Sequence, residues 1–143
     1  MSAPGNQIAA SGRFFAFRLT PHADLKRSIV EFAIQNSIHA GAVVTCVGSL
    51  EQLNLRFANQ RDGSKQLGHF EIVSLVGTFS GKTVHLHISV ADKIGTMLGG
   101  HLLDNNLVYT TAEIVVVDLQ GVEFAREKDA TYGYDELVVK RAQ

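Results

Sequence analysis

The chain has one cysteine, two prolines and no tryptophan in 143 residues, and it carries no excess of positive charge. Each shortage removes a class of protein. A single thiol, Cys46, cannot close an internal disulfide, so the fold must rest on its core rather than on a covalent framework. Cys46 lies in the apolar run Ala42-Val43-Val44-Thr45-Cys46-Val47, which reads as a buried structural thiol; a reactive one needs an exposed, electropositive setting. Thirteen Lys and Arg against fourteen Asp and Glu leave a formal net charge of −1. Chains that grip nucleic acid through phosphates show a basic excess or stripe, so tight autonomous binding of duplex DNA is not expected. No apolar run is long enough to cross a bilayer. Met1 to Ala10 has neither the positive start nor the apolar stretch of a secretory signal, and a cytoplasmic location is the expectation. No glycine-rich phosphate loop leads from a strand into a helix, and no Ser-His-Asp set can be assigned by spacing.

What is present is globular. A hydrophobic share of 45% against 19% charged residues is enough to build one domain with a full core. Residues 1–12 are small and polar and read as a loose tail, with the domain proper over 13–143. The aromatic-rich Arg13 to Leu19 is a first strand, ended by Thr20-Pro21. Leu25, Ile29, Phe32 and Ala33 form one helical stripe within Asp24 to Gln35, with Asp24 placed as an N-cap. Ala40 to Gly48 is almost continuously apolar, predicting a strand buried on both faces, and Gly48-Ser49 predicts a turn after it. Leu53, Leu55 and Phe57 alternate with polar residues, Asp62-Gly63 supplies hairpin chemistry, and Gly68 to Phe79 is the returning strand. Leu107 to Leu119 is the longest β-favouring run and belongs at the centre of a sheet. Gly121 to Gln143 reads as one last short strand with edge or subunit contacts. The expected class is α+β: a single compact domain, a mostly antiparallel mixed sheet with one main helix packed on it.

Chemistry concentrates between Thr83 and Glu113. In Thr83 to Val90 the residues alternate strictly, with Val84, Leu86, Ile88 and Val90 apolar and Thr83, His85, His87 and Ser89 polar. His85 and His87 therefore share one strand face, and a His-x-His pair of that kind is a candidate two-point metal clamp. Gly99-Gly100-His101 offers a third imidazole, and two residues without side chains let the backbone pass close to the strand or to a ligand. Three imidazoles suit zinc or a similar divalent ion, with a fourth position for water or substrate. The spacing alone is equally met by a solvated sheet face and a turn glycine pair. Glu113, a lone acid among Ile, Val and Ala, is the candidate catalytic base or, alternatively, the acceptor for one imidazole's other N–H. Asp92 and Asp104 read as turn residues, and His22, His39 and His69 as surface histidines.

The same segment carries a family resemblance. His85-Leu86-His87, Gly95, Gly99-Gly100-His101-Leu102 and Thr111-Ala112-Glu113-Ile114-Val115-Val116 resemble the plants-and-prokaryotes-conserved (PPC) domain in its bacterial and archaeal form. Val47-Gly48-Ser49-Leu50, Leu55-Arg56 and Gly68 to Thr78 upstream, and Phe124, Arg126 and Asp129 downstream, fall in the expected order, so the likeness runs from about Arg13 to Val139. It implies a compact α/β domain assembling as a homotrimer, with His85, His87 and His101 as zinc ligands and Gly99, Gly100 and Glu113 around them. It also implies partner-binding candidates in Gly68, His69, Phe70, Glu71, Ile72 and Val73, where the plant core motif has an arginine in place of His69. Plant members carry a separate Arg-Gly-Arg-Pro hook and bind DNA in the nucleus; no such tetrapeptide occurs here. Two functions stay open: a metal-stabilised oligomeric module for binding or regulation, under the family's DNA-binding label, and a zinc-dependent hydrolase or lyase acting on a small polar molecule.

Overall fold

The computed structural model describes residues 7–143. Residues 1–6 of the expected tail lie outside the described residues, and Gly12 already opens the first strand. The chain runs β1 (Gly12–Leu19), α1 (Leu25–Gln35), β2 (Gly41–Arg56), β3 (Ser64–Phe79), β4 (Val84–Ala91), β5 (Met97–Leu102), β6 (Leu107–Leu119), β7 (Val122–Lys128) and β8 (Asp135–Arg141). It is an α+β domain with one helix on an antiparallel sheet, ordered β1-β6-β2-β3-β4-β5, and β5 also pairs with β2. Strands β2, β3, β4 and β5 thus close into a circuit, in which His101 and Leu102 at the end of β5 pair with β2. Every strand pairing among the described residues is antiparallel.

The helix forms where the stripe predicts it and buries Leu25, Ile29 and Ala33 completely. Phe32 stacks on Phe17 with ring centroids 4.2 Å apart and meets Phe15 edge-on at 5.4 Å, which seats the helix against β1. Asp24 caps it, accepting from the Arg27 amide at 3.2 Å. Its second oxygen accepts from the Asn105 amide at 2.6 Å and so ties the helix start to the loop between β5 and β6. That loop is pinned from inside by Asn106, whose fully buried amide accepts from Asn54 N–H at 2.8 Å and donates to Asn54 O at 3.0 Å and Leu103 O at 2.7 Å.

Four sequence expectations change. Gly48-Ser49 is not a turn: β2 runs on through it, with the irregular register between Gly48 and Leu50 taken up as a bulge. Ala40 to Gly48 is not buried on both faces, because Val44 and Val47 are 52% and 55% exposed on the outer surface. Gly99-Gly100-His101 is strand and not the turn a glycine pair can mark, since β4 pairs with all three residues and β2 pairs with His101. Finally, residues after Gly121 form two strands, a β7–β8 hairpin whose Val122 and Phe124 build a small second core with Ala40.

Candidate metal centre

Strict alternation on β4 buries Leu86, Ile88 and Val90 and leaves His85 and His87 on the outward face. Antiparallel pairing then sets His101 of β5 directly opposite His87, while the other side of β5 pairs with β2 and places Arg56 opposite the same His101. Both approaches are close. A Cβ on Gly99 would come within 2.6 Å of Ile88 O, and one on Gly100 within 2.8 Å of Arg56 O. Neither glycine has a left-handed backbone, so what they supply is space between two flanking strands rather than an unusual dihedral angle.

The three imidazoles converge. His85 Nε2 and His87 Nε2 are 3.2 Å apart, and one ring nitrogen from each of His85, His87 and His101 falls in a group no wider than 4.8 Å. The ring centroids are separated by 5.0, 5.3 and 5.6 Å. For a tetrahedral zinc with bonds of about 2.0–2.1 Å, ligand nitrogens sit about 3.3 Å from one another, so the His85–His87 spacing matches that requirement. Two of the three imidazoles, His101 and His85, are also held toward the neutral form. Burial, then the positive fields of Arg56 and the neighbouring imidazoles, pushes His101 down from 6.5 to about 4. Burial and the neighbouring His87 and Arg126 lower His85 as well. Neutral imidazole is the form that donates a lone pair to a metal. The buried Nδ1 of His101 has no hydrogen-bond partner, a costly condition beside two other imidazoles. The residues therefore fit a zinc-type ion.

Glu113 is not brought to this cluster. It lies on the outer face of β6 opposite Val47 and Arg18, whereas His101 faces Arg56 at the far end of β2. It is no acceptor for His101 Nδ1, which has none. Among the described residues no carboxylate joins the three-nitrogen group. Within Gly68–Val73, strand alternation sends Phe70 and Ile72 into the core and leaves Gly68, His69, Glu71 and Val73 outside. His69 stacks on Tyr109 with centroids 4.1 Å apart. His22 has a partner after all, with Nδ1 2.6 Å from Glu51 Oε1. Asp92 shapes its turn by accepting from the amides of Ile94 and Thr96, each at 2.9 Å, and Asp104 pairs with Lys26 at 2.9 Å. Cys46 is buried, and burial pushes its thiol up to about 12, out of reach of nucleophilic chemistry at neutral pH.

From the sequence, Arg56 and Arg126 are legible only as residues of the family resemblance, with no site role, and Arg61 not at all. A cleft of about 840 Å³ opens beside His85 and His101, with Arg56, Arg61 and Arg126 in its wall. They come from β2, the β2–β3 turn and β7, separated along the chain, and only sheet closure and the terminal hairpin unite them.

Fold and cluster together define a class: α+β domains whose partly closed antiparallel sheet carries three histidines on two adjoining strands. The family model of the Plants and Prokaryotes Conserved (PCC) domain matches residues 6–120, and the chain belongs to that family. It is 42% identical over 129 residues to the bifunctional protein GlmU of Synechococcus sp. (strain JA-3-3Ab), a match covering 90% of this chain and 21% of that protein. The chain thus spans about a fifth of the length of the curated relatives it matches. Among solved structures, a hypothetical protein from Salmonella cholerae-suis (Salmonella enterica) is 37% identical with a TM-score of 0.94, covering 96% of this chain and all of that one. A metal-containing protein from Archaeoglobus fulgidus is 26% identical with a TM-score of 0.76, over 92% of this chain and 96% of that one.

Proposed function

We propose that this domain is a metal-stabilised binding or regulatory module that holds zinc or a similar divalent ion on His85, His87 and His101 and works as a homotrimer. The observation that carries the metal assignment is the convergence of three ring nitrogens within 4.8 Å. The metal content of the Archaeoglobus relative supports it. Once bound, such an ion ties β4 to β5 and offers Lewis acidity at any position left open to a ligand. A module is favoured over a hydrolase or lyase because, among the described residues, no carboxylate joins the three-nitrogen group as a general base would; Asp135 and Glu136 stand only in the neighbouring cleft wall. Glu113, the sequence candidate for that task, faces elsewhere.

Self-association is supported by the outer surface. Phe14 of β1, Val44 and Val47 of β2 and Val73 and Val76 of β3 are all more than half exposed on one continuous sheet. Exposed apolar residues on the adjoining strands β2 and β3, with Phe14 beyond β6 and Glu113 opposite Val47, are what a second copy would cover. With a formal charge of −1 per chain, assembly adds no basic excess, and duplex DNA is not proposed as an autonomous ligand.

The test is elemental analysis of purified protein with light scattering on the same samples. Stoichiometric metal in the wild type and its loss in His87→Ala are expected, with a mass three times that of the chain. Unchanged metal in His87→Ala would remove the ligand set, and a monomer would remove the assembly.

A further inference from the structure

The cleft beside the histidines has a chemistry of its own. Arg56 and Arg126 are half-buried and Arg61 is exposed, and none of the three has a carboxylate within ion-pairing distance among the described residues. A guanidinium presents five N–H donors. Arg56 uses one on the Gln60 carbonyl at 3.4 Å, and Arg126 uses one on the Asp135 carbonyl at 3.4 Å, both long bonds. Among the described residues the other donors have no protein acceptor. Three cations brought to one cleft, two of them partly desolvated, repel one another unless something negative lies between them. Asp135 and Glu136 also stand in the wall, yet they balance only two of the three charges and pair with none of them.

We propose that this cleft is the binding site for a small metabolite carrying an oxyanion, a phosphate or a carboxylate, gripped by Arg56, Arg61 and Arg126 beside the histidine cluster. The forked, planar guanidinium matches the paired oxygens of either group. The cleft is open to solvent, and its volume of about 840 Å³ has room for a small molecule as well as a bare inorganic ion. The exposed Tyr134 ring and the Asn59 amide give the body of such a molecule a flat face and a polar contact. Asp135 and Glu136 select for hydroxyl or amine groups away from the anionic end. The site deepens the metal-module reading and rests on it in one respect, since a bound divalent ion adds to the same positive field.

The experiment titrates zinc-loaded full-length protein with inorganic phosphate and, separately, with succinate, by calorimetry, with zinc measured on each sample. Saturable binding of one probe is expected, in the range of about 0.1–1 mM for a fragment of the real ligand. Arg126→Gln should weaken it roughly tenfold, the loss of one charge-assisted contact, and Arg126→Lys should restore part of the difference. Lys65→Gln, which removes a surface charge outside the cleft, should leave it unchanged. Tighter phosphate assigns a phosphorylated metabolite; tighter succinate assigns a carboxylate. No binding of either probe by folded, zinc-loaded protein would overturn the site while the metal reading stands. An equal loss in Lys65→Gln and Arg126→Gln would overturn it too, as bulk electrostatics. Anion binding that persists in metal-stripped protein would sustain the arginine site and show that it stands without the metal.

Discussion

Replacing Gly100 with alanine tests whether the closure of β5 onto β2 sets the geometry of the histidine cluster. The added Cβ would stand 2.8 Å from Arg56 O, against about 3.4 Å for an ordinary contact, so the two strands must separate by about 0.6 Å. The obstacle is backbone and cannot rotate away. On the other side β5 is held by β4, where Gly99 already lies close to Ile88 O, so the strain cannot pass freely across the sheet. Overpacking of this kind costs about 1–3 kcal/mol. His101 is the next residue and pairs with the same Arg56, and metal sites tolerate only about 0.2 Å in ligand distance. If the strain is relieved by moving His101, the metal dissociation constant rises by roughly 5- to 150-fold at 1.4 kcal/mol per tenfold. Competition with a chromophoric chelator measures that constant, and thermal unfolding of the metal-free variant measures the strain separately. A lower melting temperature with unchanged metal affinity would show that strand closure does not position His101. No change in either would show that β5 has room for the methyl group.

Metal-free protein should lose stability as pH falls from about 6.5 toward 4, because the unfolded chain protonates His101 near 6.5 and the folded chain only near 4. His85, lowered in the same direction, adds to the effect, so stability is highest above pH 6.5 and urea midpoints across that window should decline. Constant midpoints would contradict a desolvated, neutral cluster. Asn106→Ala removes three hydrogen bonds and strands the Asn54 amide in the interior, and should cost about 3 kcal/mol in urea unfolding. A cost below about 1 kcal/mol would mean that water or a shifted loop replaces the amide.

The sequence by itself determined the local elements and the direction of most side chains. The stripe from Leu25 to Ala33 specified α1, the alternation from Val84 to Val90 put His85 and His87 on one face, and Asp24 marked a helix start, because each depends only on periodicity or on a neighbouring amide. The run from Leu107 to Leu119 declared a central strand, and it lies between β1 and β2. Tertiary structure decided everything that required one strand to meet another. Gly99 and Gly100 could mean a turn or a close approach, and only their pairing with β4, with β2 closing onto β5 at the next residue, made them the latter. Glu113 was the most conspicuous acid beside the histidine segment in the chain, yet strand order carried it to a different part of the sheet. Arg56 and Arg126 fell in the order of the family resemblance but no periodicity or spacing gave them a role, since an arginine on a strand reads as solvated until closure of the sheet and the β7–β8 hairpin bring both to one cleft. Periodicity is a property of a few consecutive residues, whereas register and closure depend on partners far along the chain, and that is why the histidine pair was legible and its surroundings were not.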